Sequence, residues 1–170
     1  MFSTQPTVST VADQNSFAGN YAITVSGTVA ANYNVTHVNG QLIVSKIALT
    51  AKADNQSKAY GAAIPSLTIT YTGFVNGDNA GDLQTAPTAS TAATSTSPVN
   101  TYPITVNTAS AIDENYTFTP QSGTVTVTKA TLTVTADPKT KAYGAVIPAL
   151  TVSYSGFAGT DNASSLTTQP

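Results

Sequence analysis

The sequence predicts an all-β protein built from tandem small β-sandwich repeats of about 83 residues. Short runs alternate apolar and polar residues and are separated by Gly- and Pro-containing turns, which is typical of strands with one buried face. No stretch shows the longer apolar periodicity of an amphipathic helix. Short strands between regular turn signals are typical of a sandwich, and the same motifs recur at a fixed offset.

The repeat is defined by a Tyr-Gly motif. KAYG occurs at 58–61 and again at 141–144, an offset of 83 residues. An offset of 81 relates Tyr21 to Tyr102, and a two-residue insertion near 111–113 reconciles the two offsets. The offset of 83 also relates three further pairs: Tyr33 and Tyr116, Gly40 and Gly123, and Lys46 and Lys129.

The middle copy of the repeat is predicted to contain seven strands. A short helical turn is expected over 78–83, with Asp78 as its N-cap, because Asp accepts hydrogen bonds from the first free amides of a helix. Alternation and Thr, Val and Tyr enrichment place the strands near 48–53, 58–60, 67–72, 87–92, 101–106, 115–119 and 123–129.

The alternation changes phase beside each repeated lysine. Val125 and Val127 are apolar at odd positions, whereas Leu132 and Val134 are apolar at even positions. Successive side chains of a strand point to opposite faces, so one straight strand would change its buried side at Lys129. We interpret Lys46 and Lys129 as structural junctions where the chain leaves one hydrophobic core and enters the next. A β-bulge inside one domain is the alternative explanation.

These junctions define a domain frame. Residues 47–129 form one complete repeat, residues 1–46 the C-terminal part of a preceding repeat, and residues 130–170 the N-terminal part of a following one. In the alternative frame the domain boundaries lie at the Gln-Pro sites, and the chain consists of two domains, 1–87 and 88–170. In the first frame the linkers are almost absent, so neighbouring repeats are expected to be held rigidly end to end.

Several stretches together resemble a known family. KAYGAAIPSLTITYTGFVNGDNAGDL, PVNTYPITV and NYTFTPQSGTVTVTKA are similar to MBG-type tandem repeats of the Tyr-Gly variant, found in large bacterial surface and adhesin-like proteins. The resemblance implies a small all-β fold, Ig-like or, alternatively, β-grasp-like. It also implies a stalk or adhesion module rather than an enzyme. The repeat-motif residues are Tyr60, Gly61 and Pro65, with Tyr143, Gly144 and Pro148 in the next copy.

Composition argues against several classes of function. Only 8% of the residues are charged, all six basic residues are Lys, and the net charge is −2. A nucleic-acid surface normally has clustered Lys and Arg, so no nucleic-acid partner is expected. The chain has no Cys, and no stretch has the roughly 18 apolar residues of a membrane helix, so no membrane insertion is expected. With the resemblance, this predicts an extracellular or bacterial cell-surface location.

The polar residues do not form a convincing catalytic or metal pattern. His37 is the single His and Glu114 the single Glu, and neither is repeated in the other copy. General acid–base chemistry needs such groups paired in a pocket, so we expect no enzymatic activity and no cofactor. Asp78 and Asp82 are weak candidate ligands for Ca²⁺, which prefers six to eight oxygen ligands. Capping of the short helical turn explains Asp78 without a metal.

Lysine and tyrosine side chains suggest two further chemistries. Lys46 and Lys129 are candidates for a Lys–Asn isopeptide bond, but exposure at a junction is the better explanation. Tyr side chains could form a glycan-binding surface. The eight Tyr fall into four repeat pairs, however, and most lie on the apolar face of a predicted strand, which favours a role in packing.

The predicted function is a rigid spacer or fibre segment of a surface adhesin. A glycan- or host-protein-binding module is the alternative. The two terminal parts are complementary halves of one repeat, so the tail of one molecule is expected to complete the head of the next. Such a heterologous contact would give a head-to-tail filament or a closed ring.

Overall fold

The computed structural model describes residues 2–168 as a succession of short strands. Two 3₁₀ turns, Ala80–Asp82 and Ala163–Ser165, complete the regular structure. The strands are β1 (Phe2–Thr4), β2 (Thr7–Ser9), β3 (Gly19–Ser26), β4 (Val29–Ala30), β5 (Gly40–Val44), β6 (Ile47–Ala53), β7 (Gln56–Ala59), β8 (Ile69–Thr72), β9 (Thr88–Thr91), β10 (Asn100–Asn107), β11 (Tyr116–Gln121), β12 (Gly123–Thr128), β13 (Thr133–Ala136) and β14 (Val152–Ser155).

The predicted all-β class, of β-sandwich type, is confirmed. Residues 2–168 contain several small sheets and no α-helix. The chain divides into two compact units. The first comprises the residues through Ala51, Tyr71–Thr88 and Asn107–Pro120; the second comprises Lys52–Thr70, Ala89–Val106 and the residues from Gln121 onward.

The first unit contains antiparallel sheets. Strand β3 lies between β2 and β5, with Tyr21 opposite Leu42, and β1 pairs with β4. Most residues of a third sheet, in the order β11-β6-β8, also lie in this unit. Gly73, which follows β8, has a φ of +117°, and a Cβ there would meet the Ala48 carbonyl oxygen at 3.0 Å. The Gly-Phe step after β8 therefore requires glycine.

The second unit contains a mixed sheet. Its order is β7-β12-β10-β9, and β12 pairs antiparallel with β10. On its other edge β12 pairs in parallel with β7, with Val125 opposite Gln56 and Val127 opposite Lys58. A separate antiparallel pair joins β13 to β14. The parallel pairing was not part of the expectation from sequence.

The sheets repeat with the sequence offsets. Strands β2, β3 and β5 correspond to β9, β10 and β12, and both sets have the same order. Strands β13 and β14 correspond to β6 and β8. The β1–β4 pair, which includes Thr4 opposite Val29, corresponds to an isolated bridge between Thr85 and Ile112. The repetition therefore extends from motifs to strand pairing.

Buried side chains concentrate in residues 47–129 and follow the predicted alternation. On β6 they occupy odd positions and on β12 they again occupy odd positions, whereas Leu132 beyond Lys129 is half-buried. The buried apolar residues are Leu49, Ala51, Ala53, Ala93, Ile104, Val106, Tyr116, Val125 and Val127.

No helix among residues 2–168 is long and apolar enough to span a membrane.

The expected N-cap at Asp78 is wrong by one residue. Asn79 caps the 3₁₀ turn: its Oδ1 accepts from the Gly81 amide at 2.8 Å, and the Asp82 carboxylate accepts from the Asn79 amide at 2.9 Å. Asn162 caps the second turn in the same way. Asn and Asp are about equally good caps, so sequence alone does not choose between adjacent ones. Asp78 therefore does not cap this turn, and its carboxylate accepts a hydrogen bond from the Tyr116 hydroxyl instead.

Candidate functional site

The most distinctive chemistry of the chain lies where the repeated lysines interrupt the strands. Lys46 lies between β5 and β6, Lys129 follows β12, and both side chains are exposed. The Lys46 ammonium donates to the Asp113 carbonyl oxygen at 2.7 Å. The predicted junction positions are thus places where the chain changes sheets, and Lys46 has a defined acceptor. The domain frame built on them remains a prediction.

Asn115 organises the contacts beside Lys46. Its side-chain oxygen accepts from the Ala18 amide at 3.0 Å, and its carbonyl oxygen accepts from the Ile47 amide at 2.9 Å. Asp113 is buried, and its Oδ1 accepts from the amides of Asn115 and Tyr116 at 2.8 and 3.0 Å. These two hydrogen bonds hold the conformation of the 113–116 loop, and the Ala18 hydrogen bond joins this loop to the segment preceding β3. We call this set of contacts the first junction; all of it lies in the first compact unit.

Tyr116 anchors the same loop from within. Its ring meets Phe74 edge-on with centroids 5.4 Å apart, and its hydroxyl donates to Asp78 Oδ2 at 2.7 Å. The hydroxyl also accepts from the Val75 amide at 3.0 Å. Burial first, and the neighbouring carboxylates with it, raise the pKa of Tyr116 above its ordinary value. The phenol therefore stays protonated and can serve as a donor at neutral pH.

A cleft of about 250 Å³ opens beside the first junction. Phe17 and Phe74 supply its aromatic surface, and Asp82 and Glu114 contribute carboxylates. Glu114 is exposed, and the other sequence candidate, His37, lies exposed between β4 and β5. The structure therefore places Glu114 at this cleft and His37 elsewhere in the chain.

The weak Ca²⁺ candidates already have protein partners. Asp78 accepts from the Tyr116 hydroxyl, and Asp82 accepts from the Asn79 amide and from its side-chain Nδ2 at 2.7 Å. Within the described residues, no group of three or more His, Cys, Asp or Glu could hold a metal ion. The arrangement at Asp78 and Asp82 is one of hydrogen bonding within the loop.

The first KAYG motif forms an anchor for the loop preceding β10. Lys58 is buried, and its ammonium donates to the carbonyl oxygens of Ser95 at 3.0 Å and Ala59 at 3.2 Å. The Gly61 amide donates to the same Ser95 oxygen at 3.0 Å, and the Tyr60 amide bonds Thr128 at 2.8 Å. Sequence reasoning missed Lys58, although its place in a repeated motif was the available signal. Pro65, which follows the motif, is half-buried.

Tyr60 and Gly61 also contact the segment after Lys129. The Asp161 carboxylate accepts a hydrogen bond from the Tyr60 hydroxyl and raises the pKa of that phenol. A Cβ on Gly61 would overlap the Ala158 side chain, and its φ of +84° also favours glycine. We call this set of contacts the second junction; all of it lies in the second compact unit.

The second junction has its own cleft, also of about 250 Å³. It is lined by Tyr60, Val99 and Leu132 together with Phe157 and Asp161. The clefts share repeat-equivalent residues related by the 83-residue offset, namely Phe74 with Phe157, Asp78 with Asp161, and Leu83 with Leu166. The same part of the repeat therefore borders both junctions.

The second KAYG motif lacks these contacts in the described residues. Tyr143 is fully exposed, Gly144 has a φ of +80°, and Pro148 is half-buried. The Lys141 ammonium donates to the nearby Ala145 carbonyl oxygen at 3.3 Å. Identical motif residues thus have different partners in the two copies.

Comparison with known proteins gives one match. A family model described as MBG domain (YGX type) matches residues 3–43, 49–126 and 132–170. Neither the curated proteins nor the solved structures give a match to this chain.

Proposed function

We propose that this chain, which belongs to the MBG domain family of the YGX type, is a non-enzymatic repeat segment of a bacterial cell-surface adhesin or extracellular fibre. Its role is that of a rigid spacer that holds other parts of the protein away from the cell. The family is a structural type of repeat domain that occurs in surface proteins. The spacer role, adhesion and the extracellular location are our proposals.

One observation supports the spacer most strongly: each compact unit contains residues from both sides of a junction. The first unit continues through Lys46 as far as Ala51, and the second unit includes both β12 and β13. A flexible linker would instead coincide with a boundary where few contacts cross. At the first junction, hydrogen bonds from Ala18 and Lys46 to the 113–116 loop oppose bending.

Distances between spin labels test this rigidity. The chain has no Cys, so Asn20→Cys and Thr119→Cys give one exposed label on each side of the first junction. Labelled protein is diluted with unlabelled protein so that each distance arises within one chain. We expect a narrow distance distribution, which Lys46→Ala with Asn115→Ala broadens and the exposed control Lys52→Ala leaves unchanged. A distribution already broad in the parent protein contradicts the spacer.

The second candidate function is binding of a glycan or host protein. The first-junction cleft supports it, because exposed Phe17 lies there beside Gln84 and Asp82. Apolar surface with a few placed polar groups is the usual character of a small-ligand site. A glycan-array signal that Phe17→Ala abolishes would favour this function over the spacer alone. Absence of any signal from the parent protein would contradict it for glycans.

A further inference from the structure

We propose that strands β7 and β12 form a clamp that bears tension along the chain. We call these two strands, with Asn55 before β7 and Tyr60 after it, the parallel clamp; all of it lies in the second compact unit. The inference rests on the proposed surface fibre, because a protein anchored at a cell surface is stretched when its far side is held. It adds that a specific pair of strands resists this stretching.

The direction of the two strands decides how tension loads them. They run in parallel, with Gln56 opposite Val125 at one end and Ala59 opposite Thr128 at the other. The chain enters β7 at the Gln56 end and leaves β12 at the Thr128 end, so a pull on the chain slides one strand along the other. The hydrogen bonds between them are then loaded together and must yield together. In an antiparallel hairpin, entry and exit lie at the same end, and the bonds break in turn.

Side-chain and backbone groups extend the clamp at both ends. The Asn55 Oδ1 accepts from the Thr124 amide at 2.9 Å and from the Thr124 hydroxyl at 3.2 Å. At the other end, the Tyr60 amide donates to the Thr128 carbonyl oxygen at 2.8 Å. The Thr128 hydroxyl donates to the Lys58 carbonyl oxygen at 3.2 Å. The load is therefore shared by more contacts than the four register positions of the strand pair.

Each strand of the clamp is also held to other parts of the second unit. Strand β12 pairs on its other edge with β10, from Asn100 to Ile104. Strand β7 is held by the buried Lys58, whose ammonium donates to the Ser95 carbonyl oxygen at 3.0 Å. Sliding of β7 along β12 therefore breaks the Lys58 contact in addition to the pairing between the strands.

Force spectroscopy on single molecules tests the clamp, and the absence of Cys from the chain allows handles at chosen positions. Lys52→Cys with Lys129→Cys gives exposed handles that pull the two strands along each other. Ala62→Cys with Lys129→Cys gives exposed handles at the same end of the pair, which unzip it. We expect the sliding geometry to unfold at a higher force than the unzipping geometry at equal pulling speed. Equal forces in the two geometries would overturn the proposal.

Asn55→Ala identifies the contacts that carry the load. It removes the acceptor of the two hydrogen bonds at the Gln56 end, and it is expected to accelerate unfolding about 5-fold at a fixed force in the sliding geometry. Unzipping starts at the Thr128 end, so its rate should not change. Ser57→Ala is the control on β7, because this exposed side chain lies on the opposite face from Lys58 and neither geometry should respond. If Asn55→Ala changes neither rate, or both equally, the clamp is overturned.

These outcomes are distinguishable from failure of the spacer. The label distances report bending at the first junction, in the first compact unit and without load. Equal unfolding forces with a narrow label distribution would overturn the clamp and leave the spacer intact. A broad label distribution with a higher sliding force would contradict the spacer and support the clamp.

Discussion

Tyrosines at equivalent positions of the repeat show how strongly environment decides the role of a residue. Tyr116 is buried, packs on Phe74 and makes two hydrogen bonds through its hydroxyl. Tyr33, at the same place in the preceding repeat, is exposed. A phenol contributes hydrogen-bond energy mainly where loss of its partner would leave buried polar groups unsatisfied. The two positions therefore provide matched tests of what the hydroxyl contributes.

Tyr116→Phe is expected to lower the free energy of unfolding by about 1–3 kcal/mol, because Asp78 and the Val75 amide lose their partner. Chemical denaturation at neutral pH measures the change. Tyr33→Phe, the control, is expected to change stability by less than about 0.5 kcal/mol. Equal effects of the two substitutions would show that the Tyr116 hydroxyl has no special role.

Gly123→Ala and Gly40→Ala form a second matched pair. A Cβ on Gly123 would overlap the backbone of Ala53, whereas one on Gly40 would make only an ordinary contact with Ile23 at 3.6 Å. Gly123→Ala is therefore expected to lower the midpoint of urea unfolding, with a cost of about 1–3 kcal/mol. Gly40→Ala should be neutral or slightly stabilising, since alanine restricts the unfolded chain. If Gly123→Ala leaves the midpoint of urea unfolding unchanged, that result contradicts the close approach of β12 to β6 at Ala53.

At the scale of elements, hydrogen bonds between carboxylates and threonines tie neighbouring strands together in both repeats. Asp54, after β6, accepts from Thr68 at 2.6 Å and from Thr70 at 2.7 Å. Asp137, after β13, accepts from Thr151 at 2.5 Å. These hydrogen bonds, chiefly those from Thr68 and Thr151, hold the pKa of each carboxyl below its ordinary value. Sequence reasoning did not single out this pair.

The lowered pKa of Asp54 and Asp137 predicts acid sensitivity. Hydrogen bonding to the ionised form stabilises the fold above the unfolded-state pKa of about 3.9, and this stabilisation is lost as pH falls through the lower folded-state pKa. Stability should therefore decrease as the pH falls below about 4. Urea titrations at several pH values measure it. Asp54→Asn with Asp137→Asn should flatten this part of the profile; an unchanged profile would exclude these carboxyls as its cause.

Sequence patterns predicted the positions of the strands better than the strands and side chains with which they pair. The period-two alternation located β6, β10 and β12 within about two residues, because burial of one face of a strand imposes it directly. The parallel pairing of β7 with β12 left no local signal, since it joins segments far apart in the chain. The buried Lys58 was missed because lysine is seldom buried without a partner, and its acceptor, the Ser95 carbonyl oxygen, carries no side-chain signature.

At the scale of the whole molecule, the repeat accounts for the equivalent residues that border the two junctions, such as Phe74 with Phe157 and Asp78 with Asp161. The junction lysines were visible in the sequence as a phase change. The acceptors of the first junction, Asp113 and Asn115, were not, because they lie in an irregular loop whose conformation depends on Tyr116. The central claim is that, within each compact unit, the residues on the two sides of its junction lysine move as one body.

Residual dipolar couplings of backbone amides test this claim most directly, at a concentration where the chain is monomeric. Couplings from 19–44 and from 71–88 with 107–120, all within the first compact unit, report how each segment is oriented and how freely it moves. We expect a single alignment tensor to fit both segments with equal magnitude. Separate tensors, or a much smaller magnitude for 19–44, would show a flexible hinge at Lys46 and would contradict the account.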